Sequence, residues 1–339
     1  MPHDVGVFLT RIAEVAKKAG VSVATVSRAL SKPEMVAVET RALIEQVADE
    51  LGYRPNLVAR NLRRGQSRMI GVLISDILNP GNALLIKGIQ EAASKADYTV
   101  FMFNTDEEAS KERSALESLS GHMPQGLIVM PTSGAREALQ RINVPVIEMD
   151  RTTGLKNAHT VMVDNFGGSL KAVQHLIALG HSRIGMVVGD FEISTAIERH
   201  QGYKAALEQA GIPYRPEFVT VGHHREEGGH QAALELLRQA ERPTALFVGN
   251  NEMTIGAVLA VRELGLRIPQ DLSLIGFDDS RWAITMNPRL SVVAQPAFEL
   301  GKIACETLLE ILHNRHTHAS SVRLQTVFIQ RESTAPPGS

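Results

Sequence analysis

The chain is 339 residues long, 44% hydrophobic, 21% charged and only 4% aromatic, with a formal net charge of −2. Such a length points to two or more domains, and so large an apolar share fills globular cores, which excludes a disordered chain. No apolar run approaches the ~18 residues of a bilayer-crossing helix, and the single cysteine, Cys305, excludes an internal disulfide and a multi-cysteine metal site.

The first residues, Met1-Pro2-His3-Asp4, lack the basic and then apolar pattern of a secretory signal, so a cytoplasmic location is expected. Charge is unevenly spread. Residues 1–65 carry ten Lys/Arg against seven Asp/Glu (net +3), and the remainder 25 against 30 (net −5). Between Glu50 and Asp76 there are five arginines and no acid, a local basic stretch that suits either a solvated linker or a polyanion contact.

The N-terminal part reads as helices only. Ile12, Val15, Ala16 and Ala19 recur at helical spacing until Gly20 breaks the run. Ser22 is suited to cap a second helix over 23–30, with Val26, Ala29 and Leu30 turned inward. A third helix is expected over 39–51, with Leu43, Ile44, Val47 and Leu51 as its apolar stripe and Gly52 as its stop. Two short helices joined tightly at Gly20 make a helix-turn-helix, whose second helix enters the DNA major groove. A generic helical hairpin fits the same spacing.

The residues themselves decide between these. Ile12-Ala13-Glu14-Val15-Ala16, followed by Ala19-Gly20-Val21-Ser22-Val23-Ala24-Thr25-Val26-Ser27-Arg28, resembles the signature of the lac/gal repressor family of bacterial transcription factors. Tyr53-Arg54-Pro55-Asn56 and Ala59-Arg60-Asn61-Leu62 are similar to that family's hinge, and the resemblance runs to about Glu332. It implies a helix-turn-helix domain over 1–54, a hinge helix and linker over 55–67, and an effector-binding and dimerisation domain over 68–334. The partners implied are double-stranded operator DNA, a small effector and a second copy of the chain, with no membrane and no enzymatic role. The resemblance places Val23, Ala24 and Arg28 at base edges, where Arg28 can pair with guanine and the two small residues can meet thymine methyls. Ser22, Thr25 and Ser27 suit phosphates. Asn56, Arg60 and Leu62 fall in the hinge, too short to be a helix alone, with Leu62 as a wedge into the minor groove.

From Met69 the pattern alternates strand and helix. Strands are expected at 69–74, 98–103, 126–130 and 144–149, then after Asn165 at 184–188, 219–221, 245–248 and 272–277. Helices are expected at 165–179, 195–210, 226–239 and 251–264. Two successive doubly wound α/β subdomains follow. The last elements, 292–294, 299–313 and 322–329, are too few for a third domain and are expected to complete both sheets. The expected division is 68–164 with 293–322, and 165–292 with 323–334. The resemblance implies a periplasmic-binding-protein-like core with the effector between these halves.

No G-x-G-x-x-G, G-x-x-x-x-G-K-[ST], G-x-S-x-G or H-E-x-x-H occurs, so neither a nucleotide cofactor nor a catalytic motif is expected. His313, His316 and His318 lie in a polar stretch and make a weak case for a metal. The resemblance implies effector contacts at Asn82, Asp150, Arg151, Thr195, Arg199, His224, Asn250 and Asp278. Gly81 and Asn82 stand where many relatives have aromatics, and Asn251 where many have aspartate. Arg151, Arg199 and His224 against Asp278 then predict a positive cleft suited to an oxyanion. Ser31-Lys32-Pro33-Glu34 resembles the gluconate-type repressors, so a sugar or sugar acid such as gluconate is the expected effector, with phosphosugars and nucleobases as further candidates. A sugar-binding transport protein is the alternative. The Pro-, Ser- and Gly-rich stretch 330–339 has no heptads, so a homodimer rather than a tetramer is expected.

Overall fold

The computed structural model describes residues 12–31, 33–53, 67–122, 124–314 and 318–338. The hinge positions Asn56, Arg60 and Leu62, and His316, lie outside the described residues. The chain divides into two compact units, Met1–Ser67 and Arg68–Ser339.

The small unit holds α1 (Ile12–Ala19), α2 (Val23–Ser31) and α3 (Val38–Glu50). Gly20 takes φ +67°, a left-handed turn that glycine adopts without Cβ strain, and the Val21 amide closes it onto the Ala16 carbonyl at 3.1 Å. Ser22 caps α2, its Oγ accepting from the Thr25 amide at 3.0 Å. Val15, Ala16, Ala19, Val26, Ala29, Ile44, Val47 and Ala48 form the core. Small residues at 16, 19 and 29 let three short helices cross closely enough to close it. Leu43, expected in the α3 stripe, is 45% exposed, and Ala48 takes the inward place instead. Position 44 points at α1 and α2, and its neighbour at 43 is turned by 100° toward solvent.

The large unit carries two six-stranded sheets. The first holds β1 (Met69–Ile74), β2 (Thr99–Asn104), β3 (Gly126–Val129), β4 (Val146–Met149), β5 (His159–Val163) and β11 (Ser321–Leu324), in the order β11-β5-β4-β3-β1-β2 and parallel throughout. The second holds β6 (Ile184–Val188), β7 (Val219–Val221), β8 (Ala245–Val248), β9 (Ser273–Phe277), β10 (Ser291–Ala294) and β12 (Val327–Ile329), in the order β12-β10-β9-β8-β6-β7, with β12 antiparallel. Parallel strands covered on both faces read as unbroken apolar runs, as in Met-Ile-Gly-Val-Leu-Ile of β1.

Helices α4 (Pro80–Lys95), α5 (Ala109–His122), α6 (Ala135–Gln140) and α12 (Ala297–Asn314) belong to the first subdomain. Helices α7 (Asn165–Ala178), α8 (Ser194–Gln209), α9 (Glu226–Leu237), α10 (Asn251–Glu263) and α11 (Arg281–Thr285) belong to the second. Gly88 and Gly301 bring α4 and α12 together so tightly that a Cβ on Gly88 would sit 2.1 Å from the Phe298 carbonyl oxygen.

Three chain crossings join the subdomains, at Asp164, at 295–296 and at 325–326. The first and third are bonded together, the Asp164 amide donating to the Leu324 carbonyl at 2.8 Å and Thr326 Oγ1 to the Asp164 carbonyl at 3.0 Å. The expected division at 292/293 falls inside β10, which stays with the second sheet because Val292 and Val293 pair with β9. The expected strand over 322–329 is two strands, one for each sheet, broken at 325–326. Strand β5 was not expected. Its five residues end two positions before Asn165, too close to the next helix to register as a separate period. Among the described residues no helix is long and apolar enough to cross a membrane.

Candidate functional site

On α2 the buried positions are Val26 and Ala29, which leaves Val23, Ala24, Ser27 and Arg28 exposed on the opposite face. These four are the pairs i, i+1 and i+4, i+5, one continuous stripe of a helix. Small side chains at its start let the backbone approach a groove floor, while Arg28 can fork onto a base edge. Ser22 and Thr25 are tied to each other, their hydroxyls 2.8 Å apart. Their first role is therefore to cap the helix, and only one hydroxyl proton of the pair remains for a phosphate.

All eight expected effector residues converge. Asn82, Asp150, Arg151, Thr195, Arg199, His224, Asn250 and Asp278 line one cavity of about 40 Å³ between the two subdomains. They converge because they follow strand C-termini or open helices, the edge at which open α/β sheets bind ligands. Asp150 and Arg151 follow β4, His224 follows β7, Asn250 follows β8 and Asp278 follows β9. Thr195 and Asn82 sit in the first turns of α8 and α4. The cleft is closed across its mouth: Arg225 Nη2 of the second subdomain donates to the Asp106 carbonyl of the first at 3.0 Å, and the Thr152 amide to Ser194 Oγ at 3.0 Å.

A larger surface cavity, about 820 Å³, lies beside Val144, Pro145 and His159 at the N-terminal ends of β4 and β5. It is on the wrong edge for this architecture, and two of its polar side chains are already bonded: Glu148 accepts from Thr152 and Thr153, and His159 meets Ser320.

Four cleft residues hold the left-handed backbone region without being glycine: Glu107 (φ +59°), Asp150 (+64°), His224 (+57°) and Asp278 (+81°). Each such residue costs roughly 1–2 kcal/mol, strain that clusters where side chains must be aimed. Gly189 makes room for one of them, since a Cβ there would lie 2.1 Å from the His224 ring.

The polar geometry overturns the expected positive cleft. Five carboxyl groups (Asp76, Glu107, Asp150, Glu252 and Asp278) face two guanidinium groups and one imidazole. Arg151 is held by Glu107 through two parallel bonds, Nη1 to Oε2 and Nη2 to Oε1, each 2.6 Å. Burial alone would raise the Glu107 carboxyl, but the adjacent Arg151 charge outweighs it and holds the group at about 2. Asn251, expected to remove a negative charge from the cleft, is buried behind it. Its Oδ1 accepts from Ser280 and from Trp282 Nε1, while Glu252, one residue on, supplies a carboxylate to the wall.

Arg199 donates from Nε to Asn165 Oδ1 at 2.8 Å and from Nη1 to the Gly249 carbonyl, and its guanidinium lies 3.6 Å above the centre of the Phe277 ring. Among the described residues its Nη2 makes no hydrogen bond. Burial pushes the Asp150 and Asp278 carboxyls up against the pull of Arg199. Asp278 accepts from Gln295 and from the Asn251 amide. Asp150 Oδ1 and Gln295 Oε1 are buried without a donor. His224 is pushed down by burial, with Asp190 opposing through its Nδ1 side at 3.6 Å. Asn250 caps α10, Oδ1 accepting from the Met253 amide at 2.9 Å, so its role is at least partly structural.

Sequence reasoning missed Glu107, Gln295, Glu252 and Asp190. Glu107 sits in the acidic run Asp106-Glu107-Glu108, which reads as a solvated loop, and Gln295 in a chain crossing. No local signal marks either. Among the described residues no cluster of side chains could hold a metal.

Residues 11–56 match the model of bacterial regulatory proteins, lacI family, and residues 173–334 that of the periplasmic binding protein-like domain. The HTH-type transcriptional repressor PurR of Serratia proteamaculans (strain 568) is 34% identical over 332 residues, covering 96% of this chain and 97% of its own. The lac repressor dimer bound to operator and the anti-inducer ONPF superposes with a TM-score of 0.85 at 27% identity, over 96% of this chain and 99% of that one. A LacI family regulator from Enterococcus faecium with bound ribose gives a TM-score of 0.70 at 31% identity, over 79% and 99%. With the helix-turn-helix, the paired sheets and the interlobe cleft in the expected order, the chain belongs to the lacI family of bacterial regulatory proteins, DNA-binding transcriptional repressors under the control of a small effector.

Proposed function

We propose that this repressor is governed by a neutral, hydroxyl-rich sugar bound between its subdomains, and that two copies read a two-fold operator in the cytoplasm. The observation that carries the choice of ligand is the pair of unpaired buried acceptors, Asp150 Oδ1 and Gln295 Oε1, in a cleft with more carboxyl groups than cations. Buried acceptors without donors cost ~1–3 kcal/mol each, and a ligand hydroxyl relieves that cost. A carboxylate cannot donate, and it would face Asp150 and Asp278. Arg199 Nη2 supplies the complementary donor to a ring or hydroxyl oxygen. Among the described residues no Phe, Tyr or Trp lines the cavity, which speaks against a flat base stacked on a ring. The ribose held by the Enterococcus faecium relative supports the same class. Sugar acids, gluconate included, lose the support that a free Arg151 lent them.

On the DNA side, Val23, Ala24 and Arg28 are assigned to base edges, Ser27 and the Ser22–Thr25 pair to phosphates, and Asn56, Arg60 and Leu62 to the hinge. Dimerisation is supported by the lac repressor dimer and by edge strand β2, which exposes Phe101 and Met102. Fluorescence anisotropy of a labelled operator, titrated with the full-length protein in the presence of ribose, glucose and their aldonic acids, tests the reading. A shift of operator affinity with a neutral sugar and none with its acid is expected. A response to the acids alone refutes it.

A further inference from the structure

We infer that Glu107 sets the charge class of the effector, by occupying both amino groups of Arg151 so that this guanidinium offers no forked site for a ligand carboxylate. The inference rests on the sugar reading above and deepens it. Both partners come from the first subdomain, Glu107 from the turn after β2 and Arg151 from the end of β4. Their side chains are only 17% and 7% exposed, and both bonds measure 2.6 Å. The turn is fixed independently of Arg151: the Glu107 amide donates to the Ser75 carbonyl at 3.0 Å and the Glu108 amide to that of Thr105 at 2.8 Å. Glu107 is therefore aimed at Arg151 by its backbone. The remaining Arg151 nitrogen, Nε, is buried without a hydrogen bond and lies 3.9 Å from Asp150.

A buried ion left without its partner seeks another. Without the Glu107 charge, Arg151 becomes a forked donor that a ligand carboxylate can satisfy. Without the Arg151 charge, Glu107 becomes an acceptor that a ligand ammonium can satisfy. The two lesions should move selectivity in opposite directions, which an indifferent structural pair would not do.

The test uses full-length wild type, Glu107→Gln and Arg151→Gln, each verified as folded by circular dichroism. Thermal shift and calorimetry are run with glucose, gluconate and glucosamine, and with ribose and ribonate. Relative to wild type, Glu107→Gln is expected to shift at least tenfold from neutral sugar toward acid, and Arg151→Gln at least tenfold toward glucosamine. Either folded variant suffices if the other does not fold. A folded variant that gains nothing in its direction overturns the role of Glu107, whatever wild type binds. Wild type preferring gluconate to glucose, or ribonate to ribose, instead overturns the sugar reading itself.

Discussion

On α2 the side chains assigned to DNA stand in solvent, whereas those in the cleft are buried and mostly bound to one another. A helix face exposed on a small rigid unit keeps the chemistry that its residue types imply: Arg28 acts as an arginine. In the cleft, residue type alone misleads, because a neighbour can spend a side chain before any ligand arrives. Arg151 is an arginine whose two amino groups are already held by Glu107, and Asn250 a polar contact that is already a helix cap. Function on an exposed face is a property of residues; in a closed cleft it is a property of pairs.

The sharpest way to break that contrast is to remove one member of a pair. Glu107→Ala leaves a buried guanidinium uncompensated and is expected to cost ~3–5 kcal/mol at neutral pH, measured by chemical denaturation. The pH dependence carries a sign. The Glu107 carboxyl sits at about 2 when folded against 4.5 in the free group, so its contribution is complete above about 4.5 and is lost as pH falls toward 2. The gap between wild type and Glu107→Ala should therefore narrow on acidification below 4.5. A gap that is constant with pH would mean that the pair contributes packing and no charge.

Next in size is Arg199→Ala. It removes a guanidinium whose Nη2 makes no hydrogen bond among the described residues, and leaves Asp150 and Asp278 without their main compensating charge. Effector binding should fall at least ~100-fold, about 2.7 kcal/mol or more, by calorimetry. Full binding in this variant would take Arg199 out of the ligand site.

The exposed face should respond more mildly. Arg28→Ala is expected to cost ~1–3 kcal/mol on the cognate operator and little on random DNA. Equal losses on both would make Arg28 a phosphate contact. Smallest is Ser22→Ala, which removes the cap on α2 and should cost ~0.5–2 kcal/mol of stability in the small unit, read by its thermal unfolding.

The same contrast explains what was legible in the sequence. Both α/β subdomains and the three helices follow from periodicity and turn residues, because each element buries its own apolar stripe. The eight cleft positions were legible from their resemblance to the family. Their electrostatics were not, because the reversal depends on Glu107, 44 residues from Arg151, and on a turn that holds it at φ +59°. Asn251 misled for a similar reason: a changed charge counts only where the side chain reaches the cavity, and this one is bound to Ser280 and Trp282 behind it. Leu43 shows the limit of periodicity: it has the spacing of the stripe, but its neighbour Ile44 takes the place facing the core and Leu43 is turned to solvent.

The central claim is that the cleft asks its ligand for hydroxyl donors and refuses a carboxylate. Calorimetry on wild-type protein with matched pairs, ribose against ribonate and glucose against gluconate, tests it most directly. The account predicts heat of binding from a neutral sugar, with its acid at least tenfold weaker. An acid that binds as tightly as its neutral partner, or more tightly, would contradict it.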